Sequence, residues 1–508
     1  NFQPGVRVET NCQNCGFQQV RINGLDGPYT QILIDSRPVF SALSGVYGLE
    51  QIPASMIERV EVMRGGGSAL FGSSAIAGTI NIITKEPLRN SGQLSHTITS
   101  LGGSSSFDNN TSLNASLVTD DHRAGLYIFG QNRYRSGYDY DGDGFTELPK
   151  LKNQTVGFRS YLKTSTYSKL TFEYHHMQEF RRGGDMLNRP PHEAHIAEQL
   201  QHSIDGGSLK FDYFSPDEKN RLSVFASAAN TDRDSYYGPG NDPLKAYGKT
   251  TDLTAMGGAQ YVHTFDKCFF MPSDLTAGLE YNRDRLKDNM WGYNRHTDQT
   301  VNIYSAFLQN EWKNDRWGIL IGGRLDKHNM VDNVIFSPRA NLRFNPTQNI
   351  NLRLSYSSGF RAPQAFDEDM HIENVGGTVA MIERAKDLKE EKSQSFSVSA
   401  DMYHRFGAFQ TNLLIEGFYT RLTDVFVLGK PYDRGDGILV KTRSNGPGAK
   451  VMGLTLEGKV AYLSILQIQA GLTLQRSRYD EPHKWHDDVP AKRTIFRTPN
   501  VYGYFTAT

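Results

Sequence analysis

The chain contains 508 residues, with 55 basic and 55 acidic side chains, so its formal net charge is zero. A neutral chain is neither a strongly basic nucleic-acid-binding protein nor the carrier of an acidic disordered tail. Hydrophobic residues make up only 38%, yet aromatic residues reach 11% and glycine occurs 48 times, a composition that argues against a conventional globular core. No apolar run approaches about 18 residues, which excludes a transmembrane helix but not a membrane barrel of shorter alternating strands.

Residues 1–87 form a first compositional region, rich in glycine and small side chains. Its short β-branched runs are Gln31–Asp35, Ile57–Val62 and Thr79–Thr84, each typical of a strand. The glycines after the second run resemble a phosphate-binding loop only superficially. That loop needs a lysine after its last glycine, whereas Gly72 is followed by Ser73. We therefore predict a compact mixed domain with tight glycine turns and no nucleotide site.

Two of the three cysteines stand close together near the start of the chain. Cys12 and Cys15 form a C-x-x-C pattern, which fits a redox or metal half-site or a local disulfide. A structural metal site needs a second pair of ligands, and the sequence offers none. The sequence therefore favours a disulfide between Cys12 and Cys15, formed in an oxidising compartment, and leaves Cys268 unpaired.

An acidic stretch follows in the second region. Alternating carboxylates that lead to a glycine are typical of the start of a calcium loop. The candidate ligands are Asp139, Asp141, Asp143 and Glu147. The helix-loop-helix calcium site requires a glutamate at its twelfth position, and Lys150 stands there, so that fold is excluded. The stretch predicts either a calcium-binding loop or a solvated acidic loop.

Histidines are dense between residues 175 and 202. They are His175, His176, His192, His195 and His202. The zinc-protease pattern H-E-x-x-H is absent, so a catalytic zinc site is not expected. Two interpretations stay open, ordinary loop polarity and the capture of haem or another metal chelate, because imidazole is a good axial ligand.

From about residue 90 onward, apolar and polar residues alternate. Residues 396–402 and 454–462 are clear cases, and such alternation gives a strand one apolar and one polar face. A soluble sheet and a membrane barrel both fit this pattern. The pattern persists over about 400 residues, and tight turns alternate with long polar excursions, predicted at 181–206 and 359–391. Together with aromatic residues near strand ends, these features favour a barrel.

Specific motifs now point to a family. Five of them follow one another in the first region: Arg21–Gly24, Ile32–Arg37, Ile57–Gly65, Ser68–Gly72 and Ala75–Thr84. In this order they resemble the plug domain of TonB-dependent outer-membrane transporters. Ser355–Pro363 and Asp387–Ser393 are similar to barrel motifs of the same family. The C-x-x-C run and the general style are similar to receptors of Bacteroidetes type.

The resemblance implies an all-β membrane protein. It implies a transmembrane antiparallel barrel of about 22 strands over residues 88–508, with residues 1–87 as a mixed α/β plug inside the lumen. It also implies a TonB box upstream of Asn1, further strands after Thr508, and a place in the outer membrane of a Gram-negative bacterium. The implied partners are the TonB–ExbB–ExbD complex of the inner membrane and a surface lipoprotein that captures the ligand.

The resemblance also suggests site residues. The candidate ligand-binding residues are Tyr29, Arg37, Phe40, Tyr47 and His371. Aromatic and arginine side chains at the mouth of a lumen suit a large planar ligand, and plug–barrel packing is the alternative. His371 occupies a region where haem receptors carry a ligand histidine, although Ala385–Leu388 departs from the family's Asn-Pro-Asp-Leu run. The plug-motif residues are Arg59, Glu61, Arg64, Gly65 and Gly72, and the charged ones are predicted to form plug–barrel salt bridges.

The predicted function is energy-coupled import of a scarce, bulky metal chelate. Cobalamin and related corrinoids rank first, because calcium-binding aspartates occur in comparable loops of cobalamin transporters, which the acidic loop resembles. Haem ranks second and ferric siderophores third. The rival of another class is a structural or adhesive barrel, which would lack a plug. An enzyme is not expected, since G-x-S-x-G and H-E-x-x-H are both absent, and no catalytic cofactor is predicted.

Overall fold

The computed structural model describes residues 3–12, 16–38, 43, 52–65, 72, 75–239, 246–375, 378–484 and 489–508. Three residues of the predicted sites, Phe40, Tyr47 and Cys15, lie outside the described residues. The predicted disulfide is therefore not described, while Cys268 is a free cysteine, as expected.

The described part of the first region folds into two small sheets. Its strands are β1 (Val6–Cys12), β2 (Phe17–Ile22), β3 (Thr30–Ile34), β4 (Arg37–Pro38), β5 (Ile57–Arg64) and β6 (Gly78–Thr84). β1 pairs with β2, and the other four form a mixed sheet in the order β4-β3-β6-β5. β3 and β6 are parallel and carry the β-branched runs, so their side chains form an apolar core. The 3-10 turns Gly27–Tyr29 and Ala54–Met56 precede β3 and β5.

The second region is built almost entirely of strands. In chain order they are β7 (Ser91–Ser100), β8 (Phe107–Val118), β9 (Ala124–Arg135), β10 (Lys150–Ser165), β11 (Ser168–Gly184), β12 (Ile196–Phe214), β13 (Asn220–Pro239), β14 (Tyr247–Cys268), β15 (Met271–Met290), β16 (Arg295–Lys313), β17 (Trp317–His328), β18 (Ile335–Thr347), β19 (Ile350–Arg361), β20 (Glu373–Val375), β21 (Thr378–Arg384), β22 (Glu391–Phe406), β23 (Phe409–Thr423), β24 (Phe426–Leu428), β25 (Tyr432–Asp433), β26 (Leu439–Asn445), β27 (Ala449–Tyr462), β28 (Leu466–His483), β29 (Lys492–Thr494) and β30 (Val501–Ala507).

Nineteen of these strands form a barrel, and β20, β21 and β24 to β26 form a separate sheet. The predicted all-β barrel with an N-terminal plug is confirmed, with nineteen barrel strands in the described residues where the resemblance implied about 22. Strands beyond Thr508 stay a prediction, as does the domain boundary at residue 87. The described residues also include 3-10 turns at Pro191–Glu193 and Trp291–Tyr293 and a short α-helix at Asp367–Met370.

Connections between barrel strands are short at one end and longer at the other. β14 and β15 are joined through Phe269 and Phe270, whereas residues 362–390 join β19 to β22. The predicted excursion at 181–206 is wrong in its length, because β11 continues to Gly184 and β12 begins at Ile196. Several polar residues there, such as Arg181 and His202, are buried on the paired strands β11 and β12 and do not belong to a loop.

The two faces of the barrel wall differ as the alternation predicts. Large apolar side chains point outward, such as Leu279, Tyr304 and Leu308, which are 65%, 60% and 56% exposed. The rings of outward Tyr281 and Tyr304 pack at a tilt, with their centroids 4.9 Å apart. Inward positions hold buried polar residues, including Asp288 and Arg324. Within the described ranges no helix combines the length and the apolar character needed to cross a bilayer.

The longer connections carry a small sheet of their own, which we call the outer sheet (β20, β21 and β24 to β26). Its central contact is a parallel pairing between β21 and β26, from Ala380 opposite Leu439 to Arg384 opposite Arg443. Met381 of this sheet and Ile438, directly before β26, pack with Tyr236 and Tyr237 of the barrel wall in one apolar cluster. The outer sheet is therefore packed against the barrel at the end that carries the longer connections.

Candidate functional site

The plug contacts the barrel wall through charged side chains. Arg64, the last residue of β5, lies with its Nη2 atom 2.5 Å from an Oε atom of Glu416 on β23. Arg64 also donates a hydrogen bond to the carbonyl of Pro4 at 2.8 Å. Asp35 accepts hydrogen bonds from Arg159 of the barrel and from the hydroxyl of Thr84 within the plug. These pairs anchor the plug to β10 and β23 of the wall.

The other charged plug-motif residues have a different arrangement. Arg59 pairs with Glu61 two residues away, at 2.8 Å, and the two side chains are 60% and 48% exposed. Glu61 also accepts a hydrogen bond from Asn81. The predicted plug–barrel role therefore holds for Arg64 but not for this pair, because alternate residues on β5 share a face and meet each other first. Gly65, which follows Arg64, has a positive φ of 76° and turns the chain at the end of the strand.

Tyr29 lies where the plug meets the longer connections. Its hydroxyl donates a hydrogen bond of 2.9 Å to Glu391, the first residue of β22. Burial, with the nearby Glu391 carboxylate as a second cause, raises the pKa of Tyr29 well above its usual value, so the hydroxyl keeps its proton. The guanidinium of Arg361 lies over the Tyr29 ring at 5.9 Å. Tyr29 is thus engaged by the barrel in this state, and a ligand-binding role for it stays a prediction.

Arg37 lies elsewhere in the lumen. Its guanidinium is 4.7 Å from the centroid of the Phe225 ring, near the end of β13 that carries a short turn. Burial lowers the pKa of Arg37 despite the nearby carboxylate of Asp35. The structure therefore separates Arg37 from Tyr29, which the sequence placed together at the mouth. Phe40 and Tyr47 lie outside the described residues.

Five of the six candidate histidines contact a protein partner, whereas the buried Nδ1 of His175 has no hydrogen-bond partner among the described residues. His371 lies 3.6 Å from Glu198, and its ring centroid is 5.3 Å from that of Tyr237. The other histidine contacts are His176 with Asp205, His192 with Tyr247, His195 with Asp185, and His202 with Glu179. Two of these contacts, His176 with Asp205 and His202 with Glu179, cross between β11 and β12, and the other three lie at connections. Capture of a metal chelate by these histidines stays a prediction.

The acidic loop brings three of its four predicted ligands together. One carboxylate oxygen from each of Asp139, Asp141 and Glu147 lies within 4.8 Å of the others. Asp139 also accepts hydrogen bonds from the amides of Gly142 and Gly144, at 2.7 and 2.9 Å. Asp143 is not in the group, and its carboxylate accepts from the amide of Phe145 instead. Three carboxylates fit part of a calcium shell, which takes six to eight oxygen ligands.

Sequence reasoning missed a buried charged cluster on the inner wall beneath the outer sheet. Asp288 is 1% exposed and accepts hydrogen bonds from Thr250 at 2.7 Å and from Arg295 at 2.8 Å. Arg295 also donates to the carbonyl of Met370 at 2.9 Å. The period-two pattern of β15 could have predicted that Asp288 faces inward, but not that its partners come from two other strands.

Two family descriptions match nearly the whole chain. "TonB-dependent Receptor Plug Domain" matches residues 1–79, and "TonB dependent receptor-like, beta-barrel" matches residues 81–507. Among curated proteins, the vitamin B12 transporter BtuB of Vibrio vulnificus is 23% identical over 381 residues, which cover 72% of this chain and 57% of that protein. The ferric enterobactin receptor PirA of Pseudomonas aeruginosa is 37% identical over 97 residues, or 16% of this chain and 13% of the receptor. The chain thus spans little more than half of the transporter's length.

Solved structures share the fold. The siderophore receptor PirA of Acinetobacter baumannii superposes with a TM-score of 0.78 at 18% identity, covering 95% of this chain and 78% of the receptor. The siderophore receptor PirA of Pseudomonas aeruginosa gives a TM-score of 0.74 at 16% identity, with coverage of 94% and 86%. The family matches over both domains, together with the plug held inside a β-barrel, lead to one conclusion: the chain belongs to the TonB-dependent receptors of the outer membrane.

Proposed function

We propose that this chain imports a bulky metal chelate across the outer membrane in a TonB-dependent manner. The observation that carries the proposal is that the plug is held in the lumen by two ion pairs, Arg64–Glu416 and Asp35–Arg159. The two pairs reach different strands of the barrel wall, β23 and β10. A lumen closed in this way opens only when work displaces the plug, and the TonB–ExbB–ExbD complex would supply that work. Binding and displacement need no covalent chemistry, in keeping with relatives that are transporters and receptors.

Cobalamin or a related corrinoid is the first candidate cargo. It is supported by the similarity to a vitamin B12 transporter over 72% of the chain and by the acidic loop. A ferric siderophore is an equally supported alternative, because the 97-residue match and the solved structures are siderophore receptors. Haem is a weaker candidate, since His371 would have to leave Glu198 and Tyr237 before it could bind iron. A surface lipoprotein partner and a Bacteroidetes origin remain part of the proposal.

Uptake by whole cells tests the proposal. A strain that lacks its own receptors is complemented with the gene of this receptor, and the uptake of labelled cyanocobalamin, haem and ferric enterobactin is measured with and without TonB. We expect one chelate to accumulate, and we expect the loss of TonB to abolish that accumulation. Equal uptake in the two TonB backgrounds, or no uptake of any corrinoid, haem or siderophore, would contradict the proposed function.

We also propose that the acidic loop binds calcium. Isothermal titration of the purified protein should then give a calcium heat with a Kd on the order of 10⁻⁴ to 10⁻³ M, the range of extracellular calcium modules. Asp141→Asn should weaken binding about tenfold or more, because it removes one of three convergent carboxylates. Asp143→Asn is the matched control, since Asp143 lies outside the group, and it should keep the wild-type affinity. Equal losses of calcium affinity in the two variants would show that binding depends on the net charge of the loop and not on the three grouped carboxylates.

A further inference from the structure

Five residues from three parts of the chain meet where the plug touches the outer connections. We call Tyr29, Arg361, Phe366, Glu391 and Phe426 the junction. The Arg361 guanidinium carbon lies 4.2 Å from the Phe366 ring centroid, 5.3 Å from that of Phe426 and 5.9 Å from that of Tyr29. A cation held among three aromatic rings away from water is attracted to each of them. Arg361 therefore holds all three rings near one point.

Glu391 completes the junction as an acceptor. Its side chain is fully buried, and one carboxylate oxygen accepts from the Tyr29 hydroxyl at 2.9 Å and from the Phe426 amide at 2.6 Å. The other carboxylate oxygen lies 3.7 Å from Arg361. Since Arg361 and Glu391 are opposite each other at the ends of β19 and β22, the barrel wall itself fixes their separation. The wall thus provides a rigid charged pair to which the aromatic residues attach.

The three aromatic residues belong to three different bodies. Tyr29 is part of the plug, where its carbonyl accepts a hydrogen bond of 2.8 Å from the amide of Ala77. Phe366 lies in the connection between β19 and β22, directly before the helix Asp367–Met370. Phe426 begins β24 of the outer sheet. A displacement of any one body must therefore break its contact with Arg361 or Glu391.

We propose that the junction couples the plug to two outer segments, the connection between β19 and β22 and the outer sheet. A shift of either segment would then also weaken the hydrogen bond between Glu391 and Tyr29. This inference rests on the proposed import function, because a chelate bound at the outer face would be what shifts those segments. Tyr29, Arg361 and Glu391 are positioning residues in this scheme. They transmit a change of position and need not touch the chelate.

Hydrogen exchange of the full chain, purified without a chelate, tests the coupling. In Tyr29→Phe the ring stays and only the hydroxyl is lost, so we expect exchange to rise about tenfold in β3 of the plug and also in β21 and β26 of the outer sheet. The matched control is Tyr127→Phe, because the Tyr127 hydroxyl donates a buried plug–barrel hydrogen bond of 2.5 Å to the Ser55 carbonyl, away from the junction. The control should raise exchange near Ser55 and leave the outer sheet unchanged. Wild-type exchange of the outer sheet in Tyr29→Phe, or an equal rise in both variants, would overturn the proposal.

Substitutions of Arg361 separate coupling from simple packing. Arg361→Lys keeps a cation near the rings and should show outer-sheet exchange within about threefold of the wild type, whereas Arg361→Met should raise it tenfold or more. Equal exchange of the outer sheet in the two variants would overturn the role of the cation. If Arg361→Met does not fold, the comparison of Tyr29→Phe with Tyr127→Phe decides the proposal alone. Because no chelate is present, a negative exchange result leaves the import proposal standing, and a negative uptake result leaves the coupling measurable.

Discussion

Arg64→Met is expected to lower the free energy of unfolding of the plug by about 3–5 kcal/mol. Arg64 and Glu416 are the plug–barrel pair with side chains only 16% and 10% exposed, at 2.5 Å. Removing the arginine leaves the Glu416 carboxylate in the lumen without its counter-charge, and the desolvation of that carboxylate is then no longer offset. Urea unfolding of the plug, followed by exchange of β3 and β6 while the barrel stays folded, measures the loss.

A control for this prediction lies on the same strand. Arg59→Met removes a pair of the same chemistry, with Glu61, but its side chains are 60% and 48% exposed, so we expect a loss of only about 0–1 kcal/mol. The double variant Arg64→Met with Glu416→Leu should recover most of the stability, because an apolar pair often replaces a buried ion pair without cost. Equal losses for Arg64→Met and Arg59→Met would refute the plug-anchoring role of Arg64.

Asp288→Asn is expected to open the connection between β19 and β22 on the order of 100-fold more often. Asp288 is 1% exposed, and its charge holds Arg295 at 2.8 Å, which in turn donates to the carbonyl of Met370 in that connection. Without the carboxylate charge, buried Arg295 has no full counter-charge there and its hold on Met370 weakens. Trypsin cleavage after Arg384 and Lys386, timed at low protease concentration, reports the opening.

The matched control for Asp288 is Asp298 on the neighbouring strand. Asp298 pairs with Lys287 at 3.7 Å, and the two side chains are 64% and 46% exposed. Asp298→Asn removes the same charge from the outer face, where an ion pair contributes little, so cleavage should stay within about twofold of the wild type. Comparable acceleration in both variants would mean that net charge, and not the inner cluster, sets the opening.

Much of the architecture could be read from the sequence. Side chains alternate between faces along a strand, so Leu279 and Tyr281 predict an outward face, and Asp284 and Asp288 an inward one, without any knowledge of neighbours. The ordered plug motifs likewise predicted the first domain. The predicted long excursion at 181–206 was wrong, because much of this polar stretch belongs to the paired strands β11 and β12. A strand whose polar face lines a polar lumen resembles a loop in sequence.

Which polar side chains meet was decided only by the tertiary structure. Arg59 and Arg64 lie on one strand with the same chemistry, yet one pairs with its own neighbour and the other with the barrel wall. Tyr29 and Glu391 are 362 positions apart in the chain and form one buried hydrogen bond. The sequence by itself therefore determined the faces of the strands and the order of the domains, since side-chain direction is a local property. The plug anchors and the junction depended on closing the barrel around the plug, which alone brings distant strands within hydrogen-bonding distance.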